Sequence, residues 1–555
     1  MSGVPQPQAT QNFGGALLIP LFLLLPIWPL IVFQDPAMQD YANHMARAFI
    51  ILHADQFRHA YVVHWMPIPD LGWDLWALAL GKWLPLHIAA TLFFVFYFAL
   101  AVGGLFALHY AFNREPLRSS LAREPATTTS PSRRFAPKGR QGNALPLTPL
   151  LAVPFLMNGG YTKGFFNFDL GLALMLWALA AWLWLGPARW RLRLAVGMAF
   201  STMLYFVHFY AFAVYGLFVL GLEVPPRLRQ GPRGILALAR DGLQALPAFA
   251  CLILAGNHLS PPPTAYIRPW HRVVDLTLLI DTNHVWLNII LISAMLGAIG
   301  WALARGLLSL PARLILPLIL CALIFVAIPD SILGTAYVAW RTMLAAVIVA
   351  IAALSPAPGP PDGRILAALL TLALGVTLIN SALFALNAQR TADEKRAFLR
   401  AIAPMPYGAR LFWAHSGGTQ HALIAGTAGA YHVGSEAVEA RHAVVQSMFA
   451  YQGQQVLAFR DPRFSVPGNS QTFLPVIADG FRARGQNFAA YVGMFDYVLL
   501  EGSGDPQAEA QLPQARLIPV NAVGDFRLYA VRKSQRPKTH PPSGMLDAAF
   551  RTPDD

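Results

Sequence analysis

The chain has 555 residues, of which 55% are hydrophobic and 12% are charged. Soluble domains carry about a quarter charged residues, so this composition excludes an ordinary soluble protein and favours a membrane protein. The net charge of +13 is then expected mainly in cytoplasmic loops and not in a nucleic-acid interface. Cys251 and Cys321 both lie inside apolar runs, which excludes a disulfide framework and a cysteine-based metal site.

Ten apolar runs predict eleven membrane-spanning helices. The first, from Gly14 to Phe33, carries no charge and is about as long as the bilayer core requires. The run 192–222 is predicted to form two short spans that turn near His208, because this puts the basic stretches 187–193 and 225–233 on one side. The remaining predicted spans are 88–112, 144–158, 168–186, 236–256, 286–304, 310–328, 342–355 and 365–387.

The basic residues between the spans predict the orientation. They are concentrated in the loops on the side of the N-terminus, so the positive-inside rule places the N-terminus in the cytoplasm. Residues 123–142 are basic and poor in apolar residues, which predicts a flexible cytoplasmic loop. An odd number of spans places the chain after about residue 388 on the outer side, which is the periplasm in a Gram-negative bacterium.

The composition divides the chain into three parts. Residues 1–388 are predicted to form an all-α polytopic membrane domain, 389–533 a small extracytoplasmic α/β domain, and 534–555 a disordered tail rich in proline and charge. Within 389–533 the pattern predicts a charged helical start at 391–403, a helix at 472–485, and strands at 409–415, 495–502 and 525–533.

The first outer loop, residues 34–86, is long for a simple connection and therefore a candidate for function. It begins QDPAMQDYANH, which places Asp35, Asp40 and His44 within one or two turns of the membrane surface. From Tyr41 onward the apolar residues share one face, which predicts an amphipathic helix lying flat on the membrane.

A carboxylate at this surface suits one kind of chemistry. It can deprotonate the hydroxyl group of an acceptor while a phosphate carried by a lipid leaves. The alternative is that Asp40 only caps the following helix, its side chain accepting a hydrogen bond from the backbone N–H of Asn43. Residue type alone leaves both interpretations open.

Cations on the outer side could neutralise a departing phosphate. Arg341 lies at the outer end of a span, and Arg268 and Arg272 lie in an outer loop; a guanidinium offers a planar fork to phosphate oxygens. The alternative is contact with ordinary phospholipid head groups. Lys163 borders the same compartment, and His208 either satisfies backbone groups at its turn or lines a cavity.

A metal site is the less favoured interpretation of the first outer loop. It contains His44, His53, His59 and His64, followed by Asp70 and Asp74. Their spacing matches neither an i, i+4 helical pair nor a zinc-finger pattern. We therefore expect no metal and no cofactor, with a divalent metal kept as the alternative.

The layout resembles the GT-C class of polytopic glycosyltransferases, such as protein O-mannosyltransferases and lipid A aminoarabinose transferases. The resemblance is carried by a first span that runs into the acidic stretch 34–44, by about eleven spans, and by an outer α/β domain containing FDYVLLEG and FRLYAVRK. In that class a carboxylate of the first outer loop is the base, and the donor is a polyprenyl-phosphate sugar. The resemblance therefore implies Asp40 as the base, with Asp35 as second choice.

The resemblance implies an inverting hexosyl- or pentosyltransferase in the bacterial inner membrane, with a lipid-linked sugar donor and membrane lipids as partners and no nucleic acid. Asp40 would accept the proton of the acceptor, and Arg341, aided by Arg268 or Arg272, would balance the leaving phosphate. The predicted substrate-binding residues are His44, Arg341, Arg268, Arg272, His271, Lys163 and His208.

Three other functions fit parts of the pattern. A transporter or flippase of lipid-linked sugars would use the polar residues to gate a cavity, although the internal repeats typical of transporters are not evident. An O-antigen ligase or polymerase would rely on the arginines and histidines of the loop 257–285. A scaffold presenting the outer domain would need one span and not eleven.

Overall fold

Helices form most of the computed structural model. It describes the chain except for residues 1–10, 114–145, 257–270, 330–331, 333–336, 358–362, 417–430, 452–453, 466–471, 503–505 and 534–555, and it describes only the backbone of 11–16, 271 and 507–508. The predicted cytoplasmic loop 123–142 and the predicted tail 534–555 lie outside the described residues.

The part of the chain up to residue 401 is helical apart from three short strands. Its helices are α1 (Gln11–Val32), α2 (Tyr41–Leu52), α3 (Ala54–Phe57), α4 (Gly72–Leu80), α5 (Leu86–Asn113), α6 (Gly159–Lys163), α7 (Phe166–Leu185), α8 (Trp190–Val207), α9 (Phe209–Leu228), α10 (Pro232–Gly242), α11 (Leu246–Gly256), α12 (His271–Leu276), α13 (Val285–Ala304), α14 (Ile315–Ala327), α15 (Val338–Ala353) and α16 (Gly363–Ala401). The strands are β1 (Tyr61–Val63), β2 (Leu308–Ser309) and β3 (Ser355–Pro356).

Several of these helices are long and apolar enough to cross a membrane. Within the described residues six meet both criteria: Leu86–Asn113, Phe166–Leu185, Phe209–Leu228, Pro232–Gly256, Val285–Ala304 and Gly363–Ala401. Large apolar side chains such as Trp286, Ile290 and Leu323 remain exposed on the helix surfaces, as expected where lipid and not water is the surrounding solvent. The predicted helical membrane protein with a small C-terminal sheet is thereby confirmed at this coarse level.

The predicted span 144–158 is not an α-helix. Thr148–Leu156 forms a buried 3-10 helix of nine residues, which rises only about 18 Å. It is held at both ends, because Thr148 Oγ1 donates to the Leu354 carbonyl at 3.0 Å and Tyr97 Oη donates to the Leu156 carbonyl at 3.1 Å. Two prolines, Pro149 and Pro154, remove backbone donors that an α-helix would use.

The predicted break near His208 is confirmed. Helix α8 ends at Val207, His208 takes an extended backbone, and α9 begins at Phe209. Arg193 near the start of α8 pairs with Glu223 near the end of α9, so the two helices run antiparallel. The helix bundle therefore has a His208 end and an Arg193 end.

Helix α16 continues without interruption into the segment predicted as a separate helical start at 391–403. Its 39 residues extend about 58 Å, almost twice the roughly 30 Å of a bilayer core. Phe398 and Ala401, near its end, are buried in the core of the C-terminal sheet. The helix thus connects the apolar bundle rigidly to the C-terminal part.

The C-terminal part is a five-stranded sheet with helices on both faces. The strand order is β5-β4-β7-β9-β8, with β4 parallel to β5 and β7, and β9 antiparallel to β7 and β8. The three predicted strands and the helix predicted at 472–485 are confirmed. The elements are β4 (Arg410–His415), α17 (Glu436–Arg441), β5 (Val444–Val445), β6 (Leu457–Phe459), α18 (Leu474–Ala483), α19 (Phe488–Val492), β7 (Tyr497–Glu501), α20 (Pro506–Glu509), β8 (Leu517–Val523) and β9 (Phe526–Val531).

The predicted helix after Tyr41 exists as α2, but it does not lie on a lipid surface. Ten of its residues are buried. Ala46 and Ile50 belong to the core of the sheet domain, whereas Met45 and Ala48 belong to the core of the helix bundle. Strand β1 also pairs with β6 of the sheet domain, so the first outer loop is packed between the two parts of the chain.

The contact between α2 and the sheet domain, here called the seam, consists of Asp40, Asn43, His432, Ser447 and Phe449. Asn43 is fully buried. Its Nδ2 donates to the Ser447 carbonyl at 2.6 Å, and its Oδ1 accepts from the Phe449 backbone N–H at 2.7 Å. One side chain therefore satisfies two buried backbone groups of the sheet domain.

Replacing Asn43 by alanine should destabilise the protein by about 2–4 kcal/mol, because two buried backbone groups lose their partner. Thermal unfolding of the detergent-purified protein, with limited proteolysis of the sheet domain, measures the effect. Gln56→Ala, an exposed position of the same loop, is the control. An Asn43→Ala protein as stable as this control would contradict the assigned role.

Candidate functional site

Asp40 occupies the N-cap position of α2 but does not cap it. The backbone at Asp40 has φ −95° and ψ 0°, and its side chain makes no capping hydrogen bond. Its backbone N–H donates instead to the Lys163 carbonyl at 3.0 Å. The capping alternative is therefore wrong, and the carboxylate is available for another role.

The close approach of the Lys163 turn requires a glycine at position 164. Gly164 has φ +77°, and a Cβ added there would lie 3.3 Å from Asp40 N. A side chain would be strained by its backbone and crowded by the Asp40 backbone. Gly164 thus lets Lys163 and Asp40 lie side by side.

His432 of the sheet domain faces the Asp40 carboxylate. His432 Nε2 lies 3.4 Å from Asp40 Oδ1, and Asn43 Nδ2 lies 3.5 Å from His432 Nδ1. Because an amide nitrogen can only donate, Nδ1 is the acceptor of this ring and the proton of the neutral imidazole sits on Nε2. Asn43 therefore directs the N–H of His432 towards Asp40.

His44 stacks on aromatic rings beside Asp40. Its ring centroid lies 4.7 Å from that of Phe166 and 5.4 Å from that of Phe449. Burial, followed by the charge of Arg47, lowers the pKa of His44 well below its usual value. His44 is thus a neutral ring that packs against Phe166 and Phe449.

Arg341 is buried at the start of α15 at the His208 end of the bundle. It is 4% exposed, its Nη1 lies 2.8 Å from His208 Nε2, and its guanidinium lies over the Phe165 and Phe168 rings at 4.5 and 4.8 Å. The carboxylates of Asp70, Asp169 and Asp40 are all close enough to act on it electrostatically. Asp40 has the smallest effect of the three, so it lies at the margin of the cluster formed by Arg341, Asp70 and Asp169.

His208 faces two hydrogen-bond donors, but its neutral ring can accept only one hydrogen bond. Tyr210 N–H donates to its Nδ1 at 3.1 Å, and the Arg341 guanidinium faces its Nε2. A neutral imidazole has only one nitrogen lone pair, so one of these contacts is poorly satisfied. An anion next to both Arg341 and His208 Nε2 would accept hydrogen bonds from both.

Two carboxylates that sequence reasoning did not select lie beside Arg341. Asp169 in α7 is fully buried, and neither of its oxygens has a hydrogen-bond partner among the described residues. Asp70 Oδ1 lies 3.7 Å from His208 Nε2. Burial raises the pKa of Asp70 to about 6, against the opposing effect of Arg341 and Arg47.

Backbone strain is concentrated at the same place. Within the described residues only four non-glycine residues have a positive φ, and two of them, Asp70 (66°) and Tyr337 (57°), flank the Arg341 cluster. The Tyr337 ring also receives Lys163, whose Nζ lies 5.0 Å from the ring centroid. Strain of this kind persists mainly where function requires it.

Asp35 lies in a different environment from Asp40. Lys395 of α16 is 2.5 Å from Asp35 Oδ1 and 3.0 Å from Glu436 Oε2. This arrangement links the outer loop, the long helix and the sheet domain. The structure therefore favours a structural role for Asp35.

The remaining predicted binding residues are only partly described. Arg272 Nη1 lies 3.5 Å from Asp275 Oδ2, and Arg272 donates to the Ile328 carbonyl; with Arg341 it acts electrostatically on Tyr210. Arg268 lies outside the described residues. His271 begins α12, but its side chain is not described.

The histidines of the first outer loop do not converge. His59 and His64 are exposed, His53 Nδ1 is bonded to the Phe49 carbonyl, and Asp74 is bonded to Arg47 at 2.9 Å. In the described part of the chain there is no group of three or more His, Cys, Asp or Glu side chains that could hold a metal ion.

Sequence reasoning missed His432, because it lies 389 residues from its partner Asn43 and no local motif marks it. The pairing depends on the packing of the sheet domain against α2.

Comparisons with family models, with curated proteins and with solved structures find no match to this chain.

The titration of Asp70 should make stability depend on pH. A carboxyl group with a higher pKa in the folded than in the unfolded chain favours folding at low pH, and this contribution is lost as the pH rises through about 4 to 6. Relative to Asp70→Asn, the wild type should therefore lose about 1–3 kcal/mol over this range.

Asparagine is the appropriate substitution because it tolerates the left-handed backbone of this position. Thermal unfolding at pH 4, 5, 6 and 7 compares the two proteins. Parallel stability curves across this range would contradict the assigned burial of the Asp70 carboxyl.

Proposed function

We propose that the protein is an inverting membrane glycosyltransferase of GT-C type in a bacterial inner membrane. It transfers a sugar from a polyprenyl-phosphate donor to an acceptor hydroxyl on the outer face. In this proposal the chain crosses the membrane eleven times, with the 3-10 helix as one crossing, the N-terminus in the cytoplasm and the sheet domain in the periplasm.

The distribution of charge supports this orientation. Arg193, Arg227 and Arg240 lie together at the Arg193 end of the bundle, around Glu223 and Asp241. Basic residues favour the cytoplasmic side, so the opposite end, which carries Asp40 and Arg341, faces outward. A lipid-linked sugar in the outer leaflet would reach this end.

The observation that carries the proposal is the uncapped Asp40 carboxylate, whose charge acts on the buried Arg341. It is 9% exposed, it is not used by its own helix, and it faces a histidine N–H that can orient it. A general base needs these properties: a carboxylate held in place, close to the reacting group and not consumed by structural hydrogen bonds.

The reaction also requires positive charge and hydrogen-bond donors beside the leaving phosphate, and Arg341, His208 and Lys163 would supply them. Arg341 and His208 are two adjacent donors whose mutual contact is poorly satisfied, and an anionic phosphate would satisfy both. A phosphate leaving group needs charge neutralisation and no proton, and a fixed guanidinium in a dry site supplies this without reorganisation.

The proposed step is a single displacement. The acceptor oxygen forms a bond to the anomeric carbon while the bond from that carbon to the phosphate oxygen breaks. The bonding electron pair leaves with the phosphate, towards Arg341, and the acceptor proton moves to Asp40. Attack from the side opposite the phosphate inverts the anomeric centre.

A second candidate function is transport of a lipid-linked sugar. The observation that favours it is Asp169, a fully buried carboxyl in the first turn of a membrane-length helix with no hydrogen-bond partner among the described residues. Ionisable residues at such positions mark ion and proton pathways in transporters. Transport without transfer would leave the glycosidic bond of the donor intact.

Asp40→Asn should reduce glycan transfer by about a hundredfold or more, because the general base is lost. A deletion strain complemented with wild type or variant is compared for surface glycans and for accumulated lipid-linked sugar. Asp55→Asn, an exposed carboxylate of the same loop, is the matched control. Full transfer by Asp40→Asn would refute the assignment of the base.

Arg341→Gln should reduce transfer by roughly ten- to a thousandfold, because the charge that develops on the phosphate is no longer balanced. Arg341→Lys keeps the charge without the planar fork, so its rate of transfer should lie between those of Arg341→Gln and the wild type. Arg58 is exposed, and Arg58→Gln serves as the control in the same assay. Equal transfer by all four proteins would remove Arg341 from the mechanism.

A further inference from the structure

The carboxyl edge of β4 and β7 has the topology of a ligand site. From β4 the chain leads to β5 on one side and later to β7 on the other, and both strands are parallel to β4. The two connections cover opposite faces, α17 on one face and α18 with α19 on the other. In open α/β sheets this reversal opens a crevice at the carboxyl ends of the strands, where ligands bind.

A buried dyad stands at this edge. His415 is the last residue of β4 and Glu501 the last of β7, and the two are in register. His415 Nδ1 lies 3.0 Å from Glu501 Oε2, and the residues are 9% and 8% exposed. The imidazole is fixed by the Phe473 ring at 5.2 Å and the Trp413 ring at 4.7 Å.

The second nitrogen of the His415 ring is an unused acceptor in the neutral imidazole. Because a carboxylate only accepts, the nitrogen that faces Glu501, Nδ1, then carries the proton and Nε2 keeps its lone pair. This Nε2 is buried and has no hydrogen-bond partner in the described part of the chain. A ligand that donates a hydrogen bond would satisfy it.

The negative charge at the carboxyl edge favours a neutral ligand over an anion. Burial, followed by the effect of the neighbouring Glu501 carboxylate, raises the pKa of Glu394 of α16 to about 10, so Glu394 is protonated at neutral pH. The pair therefore keeps one negative charge. Arg527, which donates to the neighbouring Gly502 carbonyl, is already paired with Glu509 at 2.5 Å.

The edge lies next to the seam. The Tyr431 ring centroid is 6.2 Å from that of His415, and Asp40 acts on Tyr431 electrostatically. The following residue, His432, faces Asp40 at 3.4 Å. A molecule bound at His415 would therefore lie close to the proposed base.

We propose that the carboxyl edge of β4 and β7 binds a carbohydrate acceptor, one hydroxyl of which donates to His415 Nε2. This inference rests on the proposed function, since it assigns the second substrate of the same site. Glu501 acts as a positioning residue that fixes the ring.

The test uses free hexoses as probes. Saturation-transfer NMR is recorded on the full chain in nanodiscs with D-glucose, D-mannose and N-acetyl-D-glucosamine. His415→Phe keeps the aromatic contacts but removes the acceptor, and should weaken binding by about tenfold. Glu501→Gln keeps an oxygen acceptor for Nδ1–H and should bind within about twofold of wild type.

Binding by wild type that is lost in His415→Phe and kept in Glu501→Gln supports the proposal. No saturation transfer to any of the hexoses, or equal transfer in His415→Phe, overturns it. Should His415→Phe fail to fold, 15N-histidine spectra of the wild type decide: hexose should shift the Nε2 signal of a histidine protonated at Nδ1, and an unchanged signal overturns the proposal.

Asp40→Asn separates this inference from the proposed function. Its glycan transfer tests the mechanism, whereas hexose binding by the wild type and by His415→Phe tests the acceptor site. Full glycan transfer by Asp40→Asn would refute the mechanism and leave hexose binding untouched, whereas absent hexose binding would refute the acceptor site and leave the role of Asp40 untouched.

Discussion

The buried amide of Asn43 holds the sheet domain against helix α2. It satisfies two backbone groups of the sheet domain and reaches the ring of His432. The direction of the His432 N–H, and with it the environment of Asp40, therefore depends on this one side chain. Lys395 adds a second connection, since it binds Asp35 of the outer loop and Glu436 of the sheet domain.

The charged cluster around Arg341 lowers the stability of the fold. Buried ionic groups are costly even when they are paired, and here Asp169 has no hydrogen-bond partner among the described residues. Asp70 and Tyr337 add left-handed backbone strain beside it. A phosphate bound next to both Arg341 and His208 would satisfy two donors that otherwise face each other.

Local patterns in the sequence predicted local structure well. Apolar runs, alternation and charge predict the break at His208, the strands β4, β7 and β9, the helix α18 and the start of α15 near Arg341. The 3-10 helix was not predictable in this way, because an apolar run of this length has the same composition whether it is α-helical or not. Its two prolines were the available signal.

The candidate site was predictable only in part, for a physical reason. The apolar stripe of α2 indicated one buried face, but the second face is covered by residues from the far end of the chain. Asp40 was predicted as a site residue from its position after the first span. That its side chain makes no capping hydrogen bond depends on contacts with Lys163 and His432. Contacts between residues so far apart in the chain produce no periodic pattern in the sequence.

The central claim is that Asp40 and Arg341 open to one space that receives a lipid phosphate at the outer face. A cryo-electron microscopy structure of the protein in nanodiscs with a polyprenyl phosphate tests it most directly. The account predicts phosphate density within about 3 Å of the Arg341 guanidinium, with open space between it and the Asp40 carboxylate. Phosphate bound elsewhere, or Asp40 sealed from it by protein, would contradict the account.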